Sequence, residues 1–125
     1  MGEDKVCVLV VDDDPEMTET VKMMLGQAGY DVYRAHNGAD GLKLIHRANP
    51  QVIVCDVKMP EIDGLEVIAI LKENKATAHI PIVLTTSTTE PDAYATAPVQ
   101  AFLWKPFGPE ELKSTVDRLA NRPQP

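Results

Sequence analysis

Short runs of β-branched and other apolar residues punctuate the chain: KVCVLVV at 5–11, DVYRA at 31–35, QVIVCDV at 51–57, IPIVLTT at 80–86 and AFLWK at 101–105. Between most of them the apolar positions recur at helical spacing. This alternation predicts five strands separated by helices, hence βαβ units and a parallel sheet. The runs are nearly continuous in apolar residues, which predicts strands covered by helices on both faces.

Helix boundaries are written in the punctuation. Asp14 stands before Pro15, and proline is favoured at the first helical position because its missing N–H has no partner there. The first helix should start at Pro15, turn Met17, Val21, Leu25 and Ala28 inward, and stop at Gly29. The second opens at NGADG with Asn37 as cap, buries Leu42 and Ile45, and ends at Asn49-Pro50. The third covers about 64–74 and buries Leu65, Ile68 and Leu71. The last begins at GPEEL, with Pro109 in its first turn and Leu112, Val116 and Leu119 facing inward. One segment resists. Between Ser87 and Ala101, Pro91 is tolerated only in a first turn and Pro98 breaks any helix that reaches it, so the fourth helix is expected to be short or irregular, capped by Thr89.

With 125 residues, 44% of them hydrophobic and 25% charged, the chain suits one globular domain. Residues 1–121 are expected to form it, and 122–125, within NRPQP, to be a tail or the start of a linker, which favours a domain cut from a longer protein. Nineteen acidic against 12 basic residues give a net charge of −7, which opposes docking on DNA or an anionic membrane. No apolar run approaches the roughly 18 residues of a membrane span, and MGEDK has no signal core behind it, so a cytoplasmic location is expected. Cys7 and Cys55 lack metal-type spacing and read as reduced, buried small residues. A strand rises about 3.3 Å per residue, so Cys7, five residues before Asp12, lies far from Cys55 beside Asp56, too far for a disulfide. His36, His46 and His79 show no ligand spacing and are expected at the surface.

An open parallel sheet binds its ligands beyond the carboxyl ends of the strands. At those ends the sequence places Asp12 and Asp13, then Asp56, then Thr85 and Thr86, then Lys105 before Pro106. Asp14 is accounted for as a cap. Adjacent carboxylates such as Asp12 and Asp13 repel unless solvated in a turn or neutralised by a cation, and both readings are open for that pair taken alone. Taken with Asp56 they suit a hard cation such as Mg²⁺, which uses one or two carboxylates and keeps several waters. A carboxylate beside such a metal can attack phosphorus to give an aspartyl phosphate. Lys105 could neutralise charge there, and Thr85 could donate a hydrogen bond to a phosphoryl oxygen and so report its presence.

VLVVDDDP, VIVCDVKMPEIDG, PIVLTT and FLWKPF together resemble, in order, the signatures of the receiver domain of two-component response regulators, of chemotaxis-regulator type. The resemblance spans nearly the whole chain. It implies a doubly wound, flavodoxin-like (βα)5 fold with strand order 2-1-3-4-5, and phosphorylation of Asp56 by a histidine kinase or phosphotransfer protein. It further implies that Asp12, Asp13, Asp56 and the backbone carbonyl of Lys58 hold Mg²⁺ or Mn²⁺, that Lys105 pairs with the phosphoryl group, and that the Lys105–Pro106 bond is cis. Pro60 and Gly64 would shape the loop after Asp56, and Lys58 and Ser87 would flank the path of water to the phosphoryl group. Thr85 would be the switch hydroxyl and Phe102 the switch aromatic, although Phe102 also fits a plain core position.

Some positions depart from the family pattern. Thr86 stands where a smaller residue is usual, Thr85 and Lys105 are two positions closer than expected, and APVQAF replaces a glycine-containing approach to the last strand. These departures predict an atypical docking face around the fourth helix, the surface expected to meet an output domain or partner protein. Three alternatives compete with a signalling switch: a degenerate receiver acting as a phosphorylation-independent interaction module, a Mg²⁺-dependent phosphohydrolase, and a flavodoxin-like cofactor binder. A haloacid-dehalogenase-type hydrolase carries a second Asp two residues after the nucleophile, where this chain has Lys58. Three carboxylates after the first strand would repel a cofactor phosphate. Beyond self-phosphorylation and autodephosphorylation, no enzyme activity is expected.

Overall fold

The computed structural model describes residues 5–87 and 96–121. Five strands, β1 (Cys7–Val11), β2 (Asp31–Ala35), β3 (Val52–Asp56), β4 (Ile82–Thr86) and β5 (Ala101–Trp104), pair in parallel in the order β2-β1-β3-β4-β5. Among the described residues four helices accompany them: α1 (Pro15–Gln27), α2 (Gly38–Ala48), α3 (Gly64–Glu73) and α4 (Pro109–Leu119). The doubly wound α/β arrangement and strand order match the expectation. The predicted short helix between β4 and β5 falls largely on 88–95, outside the described residues.

Every residue of β1, β3 and β4 is buried, and the side-chain alternation divides each strand between two cores. Leu9, Val11, Ile53, Cys55, Ile82 and Leu84 pack under α2 and α3, which contribute Ile45, Val67, Ile68 and Leu71. Val8, Val10, Val52, Val54 and Val83 pack on the opposite face against Val21 and Leu25 of α1 and Leu112 and Val116 of α4. A strand buried on both faces has no polar position to alternate with, and this produces the continuous apolar runs.

The caps behave as their chemistry dictates. Asp14 Oδ1 accepts the Glu16 N–H at 3.0 Å, and Asn37 Oδ1 accepts that of Asp40 at 2.7 Å. Asp63 and Glu66 close a reciprocal capping box on α3. The inward faces shift slightly from the sequence expectation. Val67 is buried where Leu65 is only half-buried, and Met17, Ala28, Leu42 and Leu119 lie at the margins of their cores. Helical spacing names the inward stripe, but neighbouring elements decide which of its positions are covered most deeply.

Cys7 pairs with Asp31 at one end of the sheet and Cys55 with Val11 at the other; both are buried and free. Burial, with Asp31 nearby, pushes the Cys7 thiol up to about 11, and burial pushes Cys55 higher still. All three histidines are exposed, although His36 Nε2 lies 3.0 Å from Thr18 Oγ1. Among the described residues no helix is long and apolar enough to cross a membrane.

Candidate functional site

The carboxyl ends of β1, β3, β4 and β5 deliver the predicted residues to one place. Asp12 directly succeeds β1, where its N–H donates to Ala35 O at 3.1 Å and prolongs the pairing with β2. Its two carboxylate oxygens then do different work. Oδ1 accepts the N–H of Asp14 at 2.9 Å, folding the chain into an Asx-type turn, and Oδ2 accepts from Lys105 Nζ at 2.8 Å. Asp13 is exposed at the crest of that turn, and Asp14 caps α1. Three consecutive aspartates therefore have three roles: one turns the chain and binds the ammonium, one faces solvent beside the site, and one starts a helix.

Asp56 ends β3 and stands in register with Thr85 of β4. Its Oδ1 is 3.4 Å from Lys105 Nζ, so one ammonium bridges Asp12 and Asp56. Lys105 is held in place because its N–H donates to Thr86 O at 2.8 Å, continuing the β4–β5 pairing, and the Lys105–Pro106 peptide is cis, as expected. The loop after Asp56 closes through Gly64, whose N–H donates to Val57 O at 2.8 Å. A Cβ on Gly64 would collide with Asp56 O and the Val57 backbone, so only glycine permits the approach of α3 to the end of β3. In the same loop Glu61 has a φ of 66°, and Lys58 and Pro60 are exposed.

The site is short of positive charge. Asp12, Asp13 and Asp56 each offer an oxygen within 4.8 Å of the others, against the one ammonium of Lys105. Burial, reinforced by the charge on Asp12, pushes the Asp56 carboxyl up to about 6 from an ordinary 3.8, with Lys105 opposing. Burial alone would lower Lys105, but its hydrogen bond to Asp12 and the charges of Asp56 and Asp12 outweigh this and hold it above its ordinary value. A cluster of hard oxygen donors with surplus negative charge fits a small divalent cation. Thr85 and Thr86 are both buried beside this cluster at the end of β4. Phe102 lies farther back on β5, half-buried against the α2–α3 core, its ring centroid 6.1 Å from that of the exposed Trp104.

Sequence spacing had no signal for a third buried carboxylate, Asp117 of α4, which lies outside this cluster. It accepts a hydrogen bond from the Tyr30 hydroxyl, and Lys113 Nζ lies 2.7 Å away. Position i, i+4 to Lys113 suggests only a surface pair, and the distant Tyr30 that encloses it becomes a neighbour only when the sheet assembles.

Residues 8–117 match the family model described as the response regulator receiver domain. Response regulator MprA of Mycobacterium bovis is 37% identical over 123 residues, covering 96% of this chain and 53% of that protein. The probable transcriptional regulator ycf29 of Pyropia yezoensis is 32% identical, covering 92% of this chain and 53% of that one. The chain thus spans about half the length of these curated relatives. Among solved structures, a putative response regulator from Chloroflexus aurantiacus superposes with a TM-score of 0.89 at 32% identity, covering 95% of this chain and 100% of that one. The Vibrio cholerae chemotaxis protein CheY4 does so at 0.86 and 31%, covering 93% and 99%. The four strand-end signatures, the strand order and these likenesses agree, and the chain belongs to the response regulator receiver domain family, which serves phosphorylation-dependent two-component signalling.

Proposed function

We propose that Asp56 is the phosphoryl acceptor of this receiver and that the donor is a histidine kinase or phosphotransfer protein. The observation that carries the reading is the convergence of Asp12, Asp13 and Asp56 oxygens within 4.8 Å, with the Lys105 ammonium 2.8 Å from Asp12 and 3.4 Å from Asp56. A carboxylate oxygen of Asp56 attacks phosphorus, a new O–P bond forms, and the donor's P–N bond breaks with its electron pair returning to the imidazole. Lys105 is placed to track the charge from the carboxylate to the phosphoryl oxygens. Thr85, opposite Asp56 on β4, supplies the hydroxyl that turns toward the phosphoryl group.

Asp12, Asp13, Asp56 and the Lys58 carbonyl would hold Mg²⁺ or Mn²⁺, which supplies neutralisation of the developing phosphoryl charge and a template for in-line attack. Asp12 stays oriented for this by the Asp14 N–H on its other oxygen. Phe102 is the residue that would carry the change outward: it sits on β5 between the core and Trp104, so inward rotation of its ring would alter the face offered to an output domain or partner protein. Lys58 and Ser87, both exposed near the site, set the access of water and hence the lifetime of the phosphoryl group.

The test is intact mass after incubation with acetyl phosphate and Mg²⁺. The parent chain should gain about 80 Da, the mass of one phosphoryl group, and Asp56→Asn should gain nothing. An adduct of equal yield on the variant would place the chemistry elsewhere.

A further inference from the structure

The outermost strand on one side of the sheet is β2. Its Asp31 N–H donates to Val6 O at 3.0 Å, and its Ala35 O accepts from Asp12 N–H at 3.1 Å, so 31, 33 and 35 face β1. By the alternation of a parallel ladder, Val32, Arg34 and His36 turn their backbone groups outward. The carboxyl-terminal part of this edge opens into a cleft of about 640 Å³, whose other wall is α2. There Asp40, Lys43, Leu44 and Arg47 line the cleft from one helical stripe at i, i+3, i+4 and i+7.

The cleft is basic in a chain of net charge −7. Arg34 is paired with Glu19 of α1 at 2.7 Å, which places its side chain on the α1 side of the sheet, whereas Lys43 and Arg47 project from α2 on the other. Among the described residues Lys43 and Arg47 are exposed and take part in no ion pair. The opposing charge in the cleft is Asp40, whose Oδ2 accepts from Asn37 Nδ2 at 3.1 Å. Half-buried Leu44 gives the floor an apolar spot.

We propose that this edge is a docking groove for an extended acidic segment of a partner protein, added beside β2 as a sixth strand. Such a strand would satisfy the outward N–H and C=O groups of Val32, Arg34 and His36. Its side chains would alternate between the two sides of the sheet, meeting Arg34 on one and Lys43 and Arg47 on the other. Cations lying on an edge strand commonly guard it against pairing. On β2 itself the cation is Arg34, held against α1 by Glu19, whereas Lys43 and Arg47 stand on the neighbouring helix, where they flank an added strand without blocking it. The net charge of −7 opposes a long polyanion such as nucleic acid, whereas a short peptide segment need meet only the cleft. This groove lies apart from the phosphoryl site, and its test does not depend on that site.

The probe is a synthetic peptide of about ten residues, a common strand length, in a Glu-Glu-Val-Val repeat that puts Glu on both faces of an extended strand, titrated into the isotopically labelled chain with amide shifts read by NMR. Shifts should concentrate at Val32, Arg34 and His36. Affinity should fall about tenfold or more for the double variant Lys43→Glu, Arg47→Glu, as expected when two interfacial charges are reversed, with an unchanged melting temperature. The same peptide N-methylated at alternate residues, which keeps its charge but cannot pair as a strand, should fail to bind. Equal binding of the methylated probe, shifts confined to other surfaces, or no shifts at all would overturn the proposal. So would self-association of the chain through this edge in sedimentation, which would make a second copy the occupant.

Discussion

On α4, Asp117 is 1% exposed, and its carboxylate is matched by the Tyr30 hydroxyl and the Lys113 ammonium. At the carboxyl end of the sheet, Asp12 at 2% and Asp56 at 7% exposure share the single ammonium of Lys105 and have Asp13 beside them. The first carboxylate is neutralised within the protein. The second group carries surplus negative charge, and Asp56 within it is raised by burial and then by the charge on Asp12; under the proposed function that surplus is what a cation and a phosphoryl group would meet. The comparison separates a buried ion pair that fastens a helix from a carboxylate cluster whose charges are only partly matched within the protein.

The largest expected effect comes from removing the glycine that lets the site close. Gly64→Ala would drive a Cβ against Asp56 O and the Val57 backbone, and should cost about 3 kcal/mol by chemical denaturation. A cost near zero would mean that the end of β3 yields easily. Next, Asp117→Ala should destabilise by roughly 2–3 kcal/mol, because it removes the acceptor of the Tyr30 hydroxyl and the counter-charge of Lys113. Asp56→Asn should have the opposite sign. Without divalent cations at pH 7.5 it should stabilise by on the order of 1–2 kcal/mol, since it removes one of the crowded charges.

The pH dependence stems from the same shift. Asp56 titrates near 3.8 when unfolded and near 6 when folded. Its protonation favours the folded state fully below about 3.8, and that contribution is lost as pH rises through about 6. The metal-free parent should therefore lose stability relative to Asp56→Asn between these values, and show a constant difference above them. The smallest effect sharpens the comparison at saturating cation. Mg²⁺ at about ten times its dissociation constant should stabilise the parent by about 1.4 kcal/mol and Asp13→Asn by much less, with Asp117→Asn responding like the parent. An equal response in the Asp13 variant would remove Asp13 from the binding site.

Much of the fold was legible because local rules and global packing agree. Pro15, Asn37, Asn49 and Pro109 mark helix ends by their own backbone chemistry, and the doubly buried strands announce themselves as unbroken apolar runs. The site was legible for a different reason. In a parallel sheet every strand carries its last residues to the same end, so Asp12, Asp56, Thr85 and Lys105 could be assembled from strand boundaries alone. Less was legible at the margins of the inward faces: on α3 the buried stripe runs through Val67, Ile68 and Leu71, and Leu65, about 200° around the helix from Val67, is only half-buried.

What the amino-acid order determined by itself is therefore everything with a short range or a fixed period: the caps, the strand runs, the alternation that implies a parallel sheet, and the family signatures at its carboxyl edge. Only the tertiary structure decided how charge is shared among those residues. That Lys105 bridges Asp12 and Asp56, and that Tyr30 closes over Asp117, are facts of distance between segments far apart in the chain. Coulomb and hydrogen-bond energies depend on separations of a few ångströms and on exclusion of water, and no spacing along the sequence encodes either.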